Sequence, residues 1–407
     1  MQFRPYQQSI IGQGSKILNR YKILMLAMEV RTGKTLTALG IANEIGSSNV
    51  LFITKKKAIS SIQDDYNLFK PNYSIKVINY ESLHKVNAKD FDLVIIDESH
   101  SISAFPKPSA RTRNVKKIVG KKKVILLSGT PTPESFSQIY HQFWISEFNP
   151  FEENTFYKWA KNYVNITSKK INGYNVNDYT KANENLIRQK TSKYIISFTQ
   201  VQAGFKSKVN EHILTVPMKP ITYNLIKKVE KDLVYTGKNG GVILADTPVK
   251  LLQKVHQLYS GTVKLEDGSA ISLDDSKAKF INKRFRGTKI GIFYKYKQEL
   301  NLLQEVYGNS LTTDLTEFNS TDKSIALQIV SGREGISLKK AANLVFFNID
   351  YSATSYWQSR DRLTTKERSI NDIYWVFAEN GIEHKIYEKV LEKKSFTTKH
   401  YEKVNTN

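Results

Sequence analysis

Five short runs of apolar, strand-favouring residues alternate with helix-like segments between Ile23 and Ser128, and this alternation restricts the chain more than any other feature. The runs are ILMLA (Ile23 to Ala27), LFIT (Leu51 to Thr54), KVINY (Lys76 to Tyr80), LVIID (Leu93 to Asp97) and VILLS (Val124 to Ser128). Runs that are apolar on both faces belong to a parallel sheet with helices on either side, so the reading is a doubly wound α/β domain. In such a sheet, ligands bind beyond the carboxyl ends of the strands. Lys34, Asp97 and Ser128 all emerge there.

The first run leads into MEVRTGKT (Met28 to Thr35), which precedes a helical segment. Arg31, Thr32, Gly33, Lys34 and Thr35 thus form a strand-to-helix turn whose backbone N–H groups and helix dipole favour phosphate oxygens. Lys34 suits the β- and γ-phosphates of ATP, and the Thr35 hydroxyl suits Mg²⁺. Met28 replaces the first glycine of the general G-x-x-x-x-G-K-[ST] pattern, so the second motif matters. DESH (Asp97 to His100) supplies it: Asp97 as a magnesium ligand and Glu98 as the base for water.

Lys and Arg number 61 against 38 Asp and Glu, a formal charge of +23, which predicts a polyanionic partner and nucleic acid before membrane. Without cysteine, disulfides and thiolate metal sites are excluded, and the seven histidines show no metal-ligand spacing. The N-terminal MQFRPYQQSI lacks the apolar core of a secretory signal, and no run approaches the roughly 20 residues that span a bilayer. A cytoplasmic protein is the expectation.

From Pro150 to about Asn210 the chain turns to Tyr, Asn and Lys without strand alternation and reads as a helical connector. Helical stretches follow at 221–233 and 248–259. A second α/β pattern then places strands at KIGIFY (Lys289 to Tyr294), IALQIV (Ile325 to Val330), NLVFFN (Asn343 to Asn348) and DIYWVF (Asp372 to Phe377), with a last amphipathic helix from about Ile382. The expected division is 1–148 for the ATP-binding domain, 149–211 for the connector and 212–407 for the second domain.

These segments, in order, resemble superfamily 2 helicases and among them the Swi/Snf-type ATPases, in the short form often seen in phages. FRPYQQ is similar to the Q-motif, whose glutamine reads adenine; the matching residue is Gln7. LFITKKKAISSIQDDYNLF resembles motif Ia, VINYESL motif Ib and SGTPTP (Ser128 to Pro133) motif III, with Ser128 and Thr130 as coupling residues. KIGIFYKY resembles motif IV, SGREGISLKKAANLVFFN motif V and YWQSRDRL motif VI. The resemblance implies two RecA-like domains with nucleotide between them, Gln358 and Arg362 at the first two functional positions of motif VI, and Arg362 as the arginine that meets the γ-phosphate. It also places Lys55, Lys56, Lys57, Tyr80, Ser331 and Gly332 on the nucleic-acid side.

Three departures qualify the match. The second motif VI arginine is replaced by Thr365, so Arg360 or Lys366 substitutes, or Arg362 acts alone. Arg31 stands where many relatives carry glycine. The segment between motifs IV and V is short, and its usual DNA contacts are not carried over. The resulting expectation is an ATP- and Mg-dependent translocase on duplex, branched or forked DNA, with RNA less favoured, serving replication, recombination or repair in a bacterial or phage-infected cell. The rival expectations are a strand-separating helicase and an ATP-switched clamp.

Overall fold

A computed structural model describes residues 2–171, 174–206, 208–237, 239–332, 336–360, 362–365, 368 and 370–402. Two compact units are distinguished, one built on Met1–Phe205 and the other on Lys206–Lys394.

The first unit runs α1 (Pro5–Tyr21), β1 (Ile23–Met28), α2 (Lys34–Glu44), β2 (Asn49–Thr54), α3 (Ile59–Phe69), β3 (Ser74–Asn79), β4 (Leu93–Ile96), α4 (Ala110–Val119) and β5 (Lys123–Leu127). It continues through α5 (Ile139–Trp144), α6 (Phe156–Tyr163), β6 (Thr167–Ile171), β7 (Tyr174–Asp178), α7 (Glu184–Thr191) and β8 (Ile195–Phe198). Six of these strands form one sheet in the order β3-β2-β4-β5-β1-β8, parallel at every pairing. Alternate residues along each strand feed opposite cores: Ile23, Met25, Val94 and Val124 pack with α4 to α6, whereas Leu24, Leu26, Ile95 and Ile125 pack with α1 and α2. Both faces are therefore dry, which is why the strands read as continuous apolar runs.

Helix α1 starts with Pro5, whose missing N–H costs nothing at a first helical position, and buries Gln7, Ile10, Ile11, Gly14 and Leu18 along one stripe. A Cβ on Gly14 would lie 2.6 Å from Ile41, and one on Gly40 would lie 2.5 Å from Ile11. Two glycines thus let α1 and α2 approach closely, and that approach brings Gln7 onto the phosphate loop.

The second unit comprises β9 (Lys208–Val216), α8 (Pro220–Asp232), β10 (Val234–Thr236), β11 (Val242–Leu244), α9 (Pro248–Tyr259), β12 (Thr262–Lys264), β13 (Ala270–Ser272) and α10 (Ser276–Arg284). It is completed by β14 (Ile290–Tyr294), α11 (Lys297–Tyr307), β15 (Leu311–Thr312), α12 (Leu315–Ser320), β16 (Ser324–Gln328), α13 (Ile329–Gly332), β17 (Asn343–Phe346), α14 (Ala353–Arg360), β18 (Ile370–Ala378) and α15 (Glu383–Glu402). Its sheet, β15-β16-β14-β17-β18-β9, is again parallel throughout. The α/β class read from the sequence is the observed one.

The expected connector at 149–211 is different in kind. It holds α6 and α7 but also the antiparallel hairpin β6–β7, the first sheet's edge strand β8 and the start of β9. The compact units divide between Phe205 and Lys206, not at 148 and 211. The physical reason is that both missed strands are edges: β8 has only four half-buried residues, and β9 is nine residues long with Asn210, Glu211 and His212 in the middle. An edge strand needs only partial burial and leaves a weak apolar signal.

Two histidines are held neutral in these cores. His141 on α5 is buried with Nδ1 2.6 Å from the Ala104 carbonyl, and burial first, then the Lys116 charge, pushes it down to about 4. His256 on α9 is buried with Nε2 2.6 Å from Asn348 Oδ1 and Nδ1 3.2 Å from the Tyr296 hydroxyl, and burial holds it well below its ordinary value. The unfolded chain takes up these protons near pH 6.5 and the folded chain does not, so the stabilisation is full above that pH and is lost as pH falls toward 4. For His141 the loss amounts to about 3 kcal/mol at pH 4. Urea midpoints measured from pH 7.5 to 4.5 should decline below about pH 6.5, and His141→Asn should flatten that decline.

Candidate active site

The phosphate loop is shaped by two residues in the left-handed region, Arg31 (φ 64°) and Gly33 (φ 79°). That conformation favours glycine, and at Gly33 a Cβ would also meet Gln7 Nε2 at 2.7 Å. Gln7 is buried; its amide nitrogen donates to the Gly33 carbonyl at 3.3 Å and to Thr37 Oγ1 at 3.4 Å, while its oxygen accepts from the Arg4 N–H at 3.1 Å. Tyr6 stacks on Phe198 of β8 with ring centroids 4.7 Å apart and donates its hydroxyl hydrogen to the Thr32 carbonyl at 3.0 Å. Buried Thr32 in turn donates from Oγ1 to the Glu29 carbonyl at 2.7 Å. The loop is thus clamped by α1 on one side and by the stretch following β8 on the other, where the Gln200 N–H donates to Glu29 Oε2 at 2.6 Å and Gln200 Nε2 to the Val30 carbonyl at 3.0 Å. The N-cap of α2 is Gly33, which has no side chain with which to cap the first N–H groups of the helix, the kind of N-terminus that suits an anion.

At the end of β4 the carboxylate pair takes up two different environments. Asp97 is buried; Thr54 Oγ1 donates to its Oδ2 at 2.9 Å, and its Oδ1 is buried with no hydrogen-bond partner. Burial first, then the Glu98 charge, raises its pKa, against the lowering influence of Lys34. An orphaned buried oxygen on a carboxylate whose charge Lys34 offsets only in part fits a hard divalent cation such as Mg²⁺. Glu98 lies in the left-handed region at φ 49°, a conformation that costs about 1–3 kcal/mol for a residue of this type and collects at active sites. Its Oε1 is 3.8 Å from Lys34 Nζ and its Oε2 is 3.3 Å from His100 Nδ1.

His100 Nδ1 also lies 3.2 Å from buried Ser128 Oγ, which accepts from the Thr130 N–H at 3.1 Å. A continuous polar chain therefore runs from Lys34 through Glu98 and His100 to Ser128 and Thr130. A second link was not legible in the sequence: buried Gln142 on α5 accepts from Ser99 Oγ at 2.8 Å and donates to the Pro131 carbonyl at 2.7 Å. Its only sequence signal is a polar residue inside the apolar helix IYHQFW.

Lys55, Lys56 and Lys57 follow β2 directly, beside Thr54 and hence near Asp97, with Lys56 and Lys57 exposed. Tyr80 requires a correction. It is buried, donates its hydroxyl hydrogen to the Asp97 carbonyl and carries the Arg111 guanidinium 5.0 Å from its ring, so it supports the carboxylate strand and does not face a nucleic acid. Ser331 and Gly332 end α13, and their side-chain surroundings lie outside the described residues. The basic cluster from Lys116 to Lys123 leads into the N-terminal end of β5; there Lys116 Nζ donates to the Trp144 carbonyl at 2.7 Å and Lys123 Nζ to Asn19 Oδ1 at 2.9 Å.

In the second unit, α14 carries Gln358, buried, and Arg360, and ends just before Arg362. Arg360 is committed to structure: its NH1 is 3.2 Å from Glu211 Oε1 and 3.3 Å from the Tyr356 hydroxyl. Glu211 on β9, an unforeseen anchor, also accepts from Tyr356, from Trp375 Nε1 at 3.1 Å and from the Tyr387 hydroxyl at 3.0 Å. This environment argues against Arg360 as the substitute for the missing arginine. Arg362 donates from Nε to the Gln358 carbonyl and from NH1 to the Ile336 carbonyl, both at 2.9 Å, which fixes it at the junction of motifs V and VI. Lys366 lies outside the described residues.

A phosphate loop and a carboxylate pair on the strand ends of one parallel sheet, followed by a second such sheet, define a two-lobed ATP-hydrolysing enzyme. The family profile of the SNF2-related domain matches residues 47–258, more than half of the chain. The chain belongs to the SNF2-related family, whose members act on DNA. No curated protein sequence matches it. Among solved structures it is similar to the Sulfolobus solfataricus SWI2/SNF2 ATPase core in complex with dsDNA, at 15% identity and a TM-score of 0.44 over 98% of this chain and 92% of that one. Among the described residues no helix is long and apolar enough to cross a membrane, and no three His, Cys, Asp or Glu side chains cluster as a metal site.

Proposed function

We propose that this protein is an ATP- and Mg-dependent DNA translocase that couples hydrolysis to movement along duplex, branched or forked DNA, in replication, recombination or repair in the cytoplasm. The observation that carries this reading is the polar chain Lys34–Glu98–His100–Ser128–Thr130, because it joins the hydrolytic carboxylate to the segment that motif III resembles.

The N–H groups at the start of α2 and the Lys34 ammonium hold the β- and γ-phosphates, with Arg31, Thr32 and Gly33 shaping the loop. Gln7 braces that loop through the Gly33 carbonyl, and the Q-motif resemblance implies that it reads adenine. Asp97, whose Oδ1 is buried without a hydrogen-bond partner, and Thr35 would hold Mg²⁺, which would neutralise charge on the phosphate oxygens. Glu98 orients the attacking water and accepts its proton. Its contact with His100 makes Ser128 and Thr130 sensitive to that event. Arg362 is the cation that the motif VI resemblance implies for the transition-state charge, with Gln358 in the same helix-end segment. Lys55, Lys56 and Lys57, with Ser331 and Gly332, contact the DNA backbone, where lysines, hydroxyls and unshielded N–H groups are the usual donors.

Steady-state ATPase measured in parallel with no polymer, single-stranded DNA, duplex DNA, forked DNA and RNA tests the proposal. Duplex or forked DNA should stimulate most and RNA least. Binding of ATP without polymer-dependent turnover would point to a clamp, and displacement of an annealed strand to a helicase. For duplex binding, log affinity should fall linearly with log salt, and each of Lys55, Lys56 and Lys57 changed to Ala should reduce the slope by about 0.9 if it neutralises a phosphate.

A further inference from the structure

Between β5 and β8 the chain leaves the first sheet and builds an arm: α6, the hairpin β6–β7, and α7. The hairpin pairs Ser168 with Asn177 and Lys170 with Asn175. Paired residues share a face, so Ser168, Lys170, Asn175 and Asn177 line one side, all of them exposed and none of them apolar. An isolated two-stranded hairpin is marginal in water, and this face has no core to cover.

What holds the arm is its foot. The Asn165 N–H donates to the Lys181 carbonyl at 2.8 Å and the Asn183 N–H to the Tyr163 carbonyl at 2.6 Å. Two buried serines add a tie to another part of the unit: Ser135 Oγ donates to the Thr180 carbonyl at 2.6 Å and Ser137 Oγ to the Tyr179 carbonyl at 2.5 Å. Ser135 stands two residues after Pro133, the end of the segment that begins at Ser128. The arm is therefore fastened a few residues beyond Thr130, where the Glu98–His100 chain ends.

We propose that this arm is a further DNA contact that grips the sugar-phosphate backbone, and that the Ser135 and Ser137 ties make the grip respond to bound nucleotide; the proposal rests on the DNA-translocase reading. Lysine and amide groups on an open face, with exposed Lys181 and with Asn165 and Asn183 lining a groove at the foot, are the groups that phosphate and sugar contacts use; Asn162, on the same groove, is not among them, because its Nδ2 donates to Glu153 Oε1 at 2.6 Å. The carboxylate of Asp178 is turned to its own foot, where Oδ1 accepts from the Thr180 N–H at 2.9 Å and the Thr180 hydroxyl at 2.6 Å. A protein partner would require apolar or aromatic anchors, which this face does not present.

The test uses the full chain and a duplex oligonucleotide. The double variant Lys170→Glu, Lys181→Glu should bind duplex DNA with a salt slope shallower by about 1.8, two phosphates at roughly 0.9 each. Replacing residues 168–177 by two glycines should weaken binding in the same way and guards against a local effect of the charges. Slopes equal to wild type in both would overturn the grip. Wild type should also change its DNA affinity when a nonhydrolysable ATP analogue is added, and Ser135→Ala, Ser137→Ala should remove most of that change; if this variant does not fold, Ser137→Ala alone is read in its place. A full nucleotide response in the serine variant would overturn the tie. Wild-type protein that binds no DNA at any salt would instead sink the translocase reading, leaving the two failures distinguishable.

Discussion

Glu98→Gln should slow ATP turnover by about 10²–10⁴ while ATP remains bound, because glutamine keeps the size and the polar contacts of the side chain but cannot accept a proton from water. The geometry sharpens the expectation. Glu98 lies 3.8 Å from Lys34 and 3.3 Å from His100, and its backbone is held at φ 49°. Lys34→Ala should differ in kind, since it removes the cation itself and should weaken nucleotide binding along with turnover. Nucleotide affinity by fluorescence and turnover by phosphate release separate the two. Wild-type turnover in Glu98→Gln would remove Glu98 from the role of base and leave its strained backbone without a catalytic reason.

The second large effect is expected at motif VI. Arg362→Ala should lower kcat by at least about 10³ with little change in ATP affinity, because an arginine that meets only the developing charge acts in the transition state. Arg360→Ala should behave otherwise. Arg360 pairs with Glu211 at 3.2 Å, with both side chains mostly buried, and its removal leaves a carboxylate with less compensation. Three other donors still reach Glu211, so the cost should lie near about 1–3 kcal/mol and appear as a lower melting temperature. An Arg360→Ala variant with normal stability and no turnover, beside a nearly normal Arg362→Ala, would show that the motif VI register is shifted. Arginine at Thr365 adds a further reading: higher DNA-stimulated turnover would mean that the nucleotide site retains room for the second family arginine.

Much of this was legible because a fully buried parallel strand must be apolar on both faces. Ile23 to Ala27, Leu93 to Asp97 and their counterparts in the second half announced themselves, and the strand-end logic led from them to Lys34, Asp97, Glu98 and Ser128. The edges were not legible, since β8 and β9 are only partly covered and need no apolar run. Tyr80 shows the same limit for side chains: the resemblance put it on the nucleic-acid side, and only its burial and the proximity of the Asp97 carbonyl decided for packing.

The sequence by itself determined the α/β class, the phosphate loop and the carboxylate pair, because each is specified by residues close together in the chain. Only the tertiary structure decided which polar groups meet across long separations: Gln7 on Gly33, His100 on Ser128, Arg360 on Glu211, and Ser135 and Ser137 on the foot of the hairpin. Such contacts join residues 26 to 149 positions apart, and no local periodicity encodes them. They form because buried donors and acceptors must find partners once the apolar faces have fixed where the chain segments lie.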